Sequence, residues 1–169
     1  MTIVVHDASV LIDLLECELE ENWCSLNLRL ITTSFVWREI NRRHQKTRLK
    51  TFVDRGALII EPVGAETITE IFQLKTEMSP GVTVEDISVL LLSIRLRAVL
   101  LSSDGLLRRQ AESRGIEVHG ILWMLETLID HGSISPLTAA DRLERLLERN
   151  VSWLPREECK RRLAQWRKA

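Results

Sequence analysis

Apolar positions fall into two alternating patterns along the chain. Short, largely apolar runs that include β-branched residues occur at residues 3–5, 30–33, 57–60, 98–101 and 116–118. Polar or turn residues bound each run, which is the mark of strands buried on both faces. Between the runs, apolar residues recur at helical spacing. Leu11, Leu14 and Leu15 predict a helix over residues 8–16, and Phe35, Val36 and Ile40 predict one that Ser34 caps and that continues to about His44. Ile68, Ile71, Phe72 and Leu74 predict a helix over 64–78, broken by Ser79-Pro80-Gly81. Val84, Ile87, Leu90, Leu91 and Ile94 predict the strongest one, opened by Thr83 and running to about Arg97. Helices over 105–113, 120–130, 136–149 and 155–167 complete the series, with Gly115 stopping the first of these. Strands alternating with helices imply an α/β fold with a central parallel sheet of about five strands. In such sheets ligands bind off the carboxyl ends of the strands, where strand order reverses.

Composition narrows the class. The chain has 169 residues, 45% of them hydrophobic and 28% charged. That is enough to bury a core without disulfides or a structural metal. Cys17, Cys24 and Cys159 are odd in number and fit no zinc spacing, so a reducing, cytoplasmic setting is expected. No apolar stretch is long enough to span a bilayer, and no secretory signal pattern opens the chain. The net charge of −1 argues against a strongly basic nucleic-acid binder, but the charge lies in blocks. Residues 1–37 are net −5, 38–55 net +5, 56–94 net −5 and 156–169 net +4.

Four carboxylates map to the strand ends. Asp7 closes the first strand and Asp104 the fourth. Asp86 sits in the first turn of the helix leading into the fourth strand, and Glu39 in the second turn of the helix leaving the second, roughly 7 Å below the same edge. Each has a plain structural alternative. Asp7 and Asp104 can cap helices, Asp86 can complete a capping box with Thr83, and Glu39 can pair with Arg43. Unrelated caps have no reason to converge on one edge, and Glu39 falls within the apolar arc of its helix. The neighbouring Glu85 lies about 160° from Ile87 and is expected to point to solvent. Clustered carboxylates without clustered His or Cys suit a hard divalent ion, Mg²⁺ or Mn²⁺. No phosphate-binding glycine loop, HExxH or aspartyl-phosphate Asp-x-Asp pattern is present. His6 and His119 read as structural or solvated, with His119 opening a helix. Trp37, Trp123 and Trp166 read as core or interface, with base stacking as the alternative. The basic run containing Arg38, Arg42, Arg43 and Lys46 flanks Glu39 and is a candidate RNA-phosphate contact.

The residues that carry this pattern also resemble a known family. His6-Asp7-Ala8-Ser9-Val10-Leu11-Ile12-Asp13, Val36-Trp37-Arg38-Glu39-Ile40, Val84-Glu85-Asp86-Ile87-Ser88 and Leu100-Leu101-Ser102-Ser103-Asp104-Gly105 occur in the order and separation of PIN domains, in particular endoribonuclease toxins of VapC type. The resemblance covers nearly the whole chain. It implies a three-layer α/β/α fold, with residues 1–134 as the nuclease domain and 135–169 as a helical extension packed on it. It maps Asp7, Glu39, Asp86 and Asp104 onto the acidic site, with metal held by Asp7, Asp86 and Asp104. Ser9 and Ser102 become accessory hydroxyls. It further implies RNA cleavage, a small antitoxin partner and a homodimer, with no membrane association. Many members carry another acid or Asn shortly after the last Asp, where this chain has Gly105, Leu106, Leu107 and Arg108. The alternative is therefore a PIN-like scaffold that binds nucleic acid or protein and cuts weakly.

Overall fold

Val4, Val5, Leu30, Ile31, Leu100 and Leu101 are all buried, as expected for strands covered on both faces. The computed structural model describes residues 1–149 and 153–169. Its elements are β1 (Thr2–His6), α1 (Ala8–Glu16), α2 (Glu20–Cys24), β2 (Leu28–Thr33), α3 (Ser34–Glu39), α4 (Arg43–Asp54) and β3 (Leu58–Glu61). They continue with α5 (Ala65–Glu77), α6 (Val84–Leu96), β4 (Val99–Leu101), α7 (Gly105–Glu112), β5 (Val118–His119), α8 (Ile121–Asp130), α9 (Pro136–Glu148) and α10 (Arg156–Trp166). The five strands pair in parallel in the order β3-β2-β1-β4-β5. Helices flank the sheet: α6 packs on β1, β2 and β4, α4 on β3, and α7 and α8 on β5. The chain builds outwards from β1 to β3, then returns to lay β4 on the other side of β1. Strand order therefore reverses between β1 and β4, where a crevice opens at the carboxyl ends.

That edge is tied together by backbone and buried polar groups. The backbone N–H of Asp7 donates to the Leu101 carbonyl at 2.9 Å, and Thr32 Oγ1 donates to the His6 carbonyl at 2.8 Å. His6 is fully buried, and its Nε2 lies 2.9 Å from the Trp23 indole nitrogen. An indole N–H only donates, so the proton of the His6 ring sits on Nδ1 and is given to the Ile31 carbonyl at 3.2 Å. Burial pushes His6 down to about 4 and keeps it neutral.

Three local expectations are corrected. The helix expected from Ser34 to about His44 is two helices, α3 and α4, separated at Ile40, whose backbone is extended. The cap of α3 is Thr33 rather than Ser34, its Oγ1 accepting from the Val36 N–H at 3.2 Å. The short α2 and the whole of α4 beyond His44 have no counterpart in the hydrophobic pattern. The fifth strand comes two residues later than expected, so His119 ends β5 instead of opening a helix. At the C-terminal end, α9 packs on α1 and α8, and α10 on α9.

Candidate active site

Asp7 is the best-held of the four carboxylates. It occupies the cap position of α1 yet makes no side-chain cap bond. Instead its Oδ2 accepts from Ser9 Oγ at 2.7 Å and from Ser102 Oγ at 2.9 Å. The same hydroxyls accept backbone N–H groups of the β4–α7 turn, Ser9 Oγ from Ser103 and Ser102 Oγ from Asp104, both at 3.0 Å. The two serines thus lock the ends of β1 and β4 together and aim Asp7 between them. Only 4% of Asp7 is exposed, and this burial raises its pKa above the usual carboxylate range.

Asp86 and Asp104 satisfy both readings of their sequence positions. Asp86 Oδ2 accepts the Thr83 N–H at 2.7 Å while Thr83 Oγ1 accepts the Asp86 N–H at 3.1 Å, a complete capping box for α6. Asp104 Oδ1 caps α7 by accepting the Leu107 N–H at 2.8 Å. The caps fix where the carboxylates stand, and each leaves lone pairs facing the crevice. Asp86 is pushed up to about 6, first by burial and then by the charges of Asp7 and Asp104, against the opposing pull of its Thr83 bonds.

Glu39 is the last residue of α3 and is exposed, a correction to its placement in the apolar arc. The break after it turns its side chain towards the other acids. Partial desolvation, then Asp7, Glu85 and Asp86, push it up to about 7. Arg43 is not among the groups that act on it. Glu85 is half-buried rather than directed fully to solvent, and Glu39 feels its charge.

Asp7, Glu39, Asp86 and Asp104 line one cleft of about 730 Å³, together with Ser9. Ser102 lies beneath it, fully buried. Three lining residues of this cleft or its floor escaped the sequence reasoning. Asn41 lies in the α3–α4 break. Trp153, after α9, lines the cleft from the C-terminal part of the chain. Asp13 stands behind the cleft on α1, 2% exposed, and accepts from Ser103 Oγ at 2.8 Å. Burial pushes it up to about 6, against hydrogen bonds from Ser103 and Trp153. An acid amid Val10, Leu11, Leu14 and Leu15 was the available signal for Asp13.

The basic candidates stay outside the cleft. Arg38 lies over the Phe35 ring at 5.1 Å and Lys46 over the Trp37 ring at 5.2 Å. Arg42 faces a separate groove shared with His44, Arg48 and Arg145, and Arg43 is exposed at the start of α4. Of the tryptophans expected in the core, Trp166 is buried, while Trp37 and Trp123 are half-buried.

The donor set is all oxygen. Among the described residues, no three carboxylate, imidazole or thiolate groups are drawn together into a ready coordination sphere. Mg²⁺ does not require one, since it keeps several waters and takes one or two carboxylates plus substrate phosphate oxygens. Acids that raise one another's pKa around a shared cleft have the chemistry such a cation fits. Also among the described residues, no helix is long and apolar enough to cross a membrane.

No curated protein matches the chain in sequence. Among solved structures it is similar to PAE2754 from Pyrobaculum aerophilum, with 17% identity over 76% of this chain and 98% of that one, and a TM-score of 0.51. It is also similar to a domain of a functionally unknown protein from Methanocaldococcus jannaschii, with 21% identity over 71% of this chain and 91% of that one, and a TM-score of 0.47. The sequence profile of the PIN domain matches residues 3–168, so the chain belongs to the PIN domain family.

Proposed function

We propose that this protein is a metal-dependent endoribonuclease that hydrolyses RNA phosphodiester bonds. PIN domains are generally nucleases and typically use divalent metals. The observation that carries the reading is the convergence of Asp7, Glu39, Asp86 and Asp104 on one cleft that, among the described residues, is lined by no Lys or Arg to offset their charge. In this reading Asp7, Asp86 and Asp104 hold Mg²⁺ or Mn²⁺. Such an ion, when bound, activates water and offsets charge on the phosphodiester. Asp7 is the anchor, because Ser9 and Ser102 fix its orientation from a buried position. Asp86 and Asp104 are held by their caps, so the site is set by the backbone of α6 and α7. Glu39, poised near neutrality, is suited to orient water and to take up its proton.

The resemblance to VapC-type toxins extends the reading to a toxin blocked by a small antitoxin and acting as a homodimer. The test is cleavage of single-stranded RNA with Mg²⁺ or Mn²⁺ and with excess chelator. Cutting should require the ion and stop with chelator. Undiminished cutting in chelator would refute the metal site. Binding of RNA without cutting under any divalent ion would favour the weakly catalytic scaffold, consistent with the absence of an acid at Gly105–Arg108.

A further inference from the structure

Ser103, Gly105 and Trp153 line the acidic cleft and also a second cavity of about 580 Å³. The two spaces share a wall, and Trp153 stands in it with 47% of its surface exposed. An indole left this open gains little from packing. Its placement is nonetheless specific, since its side chain reaches the buried Asp13, whose pKa it helps to hold down, while Ser103 holds Asp13 from the β4–α7 turn.

The second cavity differs in character from the cleft. His119 stacks on Trp123, with ring centres 4.7 Å apart and planes 5° from parallel. Trp123 meets the fully buried Trp23 edge-on at 6.1 Å, and Trp23 bonds to His6 beneath the site. The aromatic wall is therefore anchored to the same strand end that carries Asp7. Two arginines line this cavity. Arg162 is committed to Glu126 and Glu158. Arg108 donates to the Ser102 carbonyl at 3.2 Å and forms no ion pair among the described residues, so its charge is left for a ligand.

We propose that this second cavity is a nucleobase subsite. A base flanking the scissile phosphate leaves the acidic cleft past Trp153, stacks on its indole and enters the cavity, where Arg108 offers a cation to the polar edge of the base or to the next phosphate. The inference rests on the nuclease reading of the cleft and adds to it how single-stranded RNA is gripped. Trp153 here is a binding residue, and the acids of the cleft remain the reacting groups.

The test is a cycle between protein and RNA. Fluorescently labelled single-stranded RNAs, intact or with an abasic nucleotide at successive positions, are bound by anisotropy in chelator and cut in Mg²⁺. Wild type, Trp153→Ala and Trp153→Phe are compared, with circular dichroism melts confirming the fold. Abasic substitution at a position beside the cut should weaken wild-type binding about tenfold or more, the size of one lost base–aromatic stack. Trp153→Ala should show that same loss on intact RNA and no further loss on the abasic RNA, while Trp153→Phe retains most of the affinity. If wild type cuts RNA but Trp153→Ala binds intact RNA fully, or keeps the whole abasic penalty, the subsite is refuted and the nuclease reading stands. If wild type neither binds nor cuts any of the RNAs, both readings fall.

Discussion

Carboxylates at the two ends of this molecule live under opposite electrostatic conditions. Around the C-terminal helices several are paired. Glu158 bonds Arg161 and Arg162, Glu144 bonds Arg167, and Glu18 receives Arg142 and Arg145 from α9. Those hydrogen bonds hold Glu158 and Glu18 below the usual carboxylate range. At the strand ends, Asp7, Asp86 and Glu39 are raised by burial and, for Asp86 and Glu39, by one another's neighbourhood. The pairing that stabilises a surface is withheld where the fold gathers its acids. Acids that ionise against such conditions weaken the free protein, and a divalent cation relieves that cost.

The largest expected effects come from removing charge at the strand ends. Asp7→Asn should lower RNA cleavage by orders of magnitude, because a neutral ligand cannot hold the ion. Asp86→Asn should do nearly the same with the fold retained, since an amide oxygen can still accept the Thr83 N–H of the capping box. Glu85→Gln, one residue away, should leave cleavage nearly intact. Parallel cleavage assays and melts of the three variants decide this, and an inactive Glu85→Gln beside an active Asp86→Asn would invert the assignment.

A smaller effect is expected in the pH dependence of stability. Glu39 moves from its ordinary value up to about 7, and Asp86 up to about 6. Between about pH 4 and pH 7 the folded protein therefore holds protons that the unfolded chain has released. Their contribution to stability is present at low pH and lost as pH rises through the folded values. His6, buried and neutral, works in the opposite direction, because the unfolded chain protonates it first as pH falls. The difference between variant and wild type isolates the acids. In chelator, the melting temperature of Asp86→Asn relative to wild type should climb from pH 4 to 7 and then level off. A flat difference would show that Asp86 is not under electrostatic strain.

Much of this contrast was legible in the amino-acid sequence. The largely apolar runs that became β1, β2 and β4 placed Asp7 and Asp104 at one edge, and the spacing of α6 chose Asp86 over Glu85. What was hidden has physical causes. Helix α4 buries Leu49, Phe52 and the polar Gln45, too few apolar positions to show a periodicity. Ile40 is buried with an extended backbone, a break the helical spacing does not show, and Glu39 ends its helix there. Trp153 reaches the cleft from a segment more than a hundred residues away from Asp7, which no local pattern encodes.

The smallest effect belongs to the paired acids. Glu18→Gln removes an exposed carboxylate from Arg142 and Arg145 of α9. Surface pairs of this kind contribute little and are screened by salt. The melting temperature should barely move and RNA cleavage should be unchanged. A large loss of activity would mean that the C-terminal ion pairs position the site.

The central claim is that the strand-end acids are left uncompensated for a divalent cation. It is tested most directly by melting the metal-free protein against rising Mg²⁺ or Mn²⁺. Wild type should gain stability with ion concentration, by about 2.7 kcal/mol at a hundredfold excess over the dissociation constant. Asp7→Asn should gain little, while Glu18→Gln should respond like wild type. No shift in wild type, or an equal shift in Asp7→Asn, would contradict the claim.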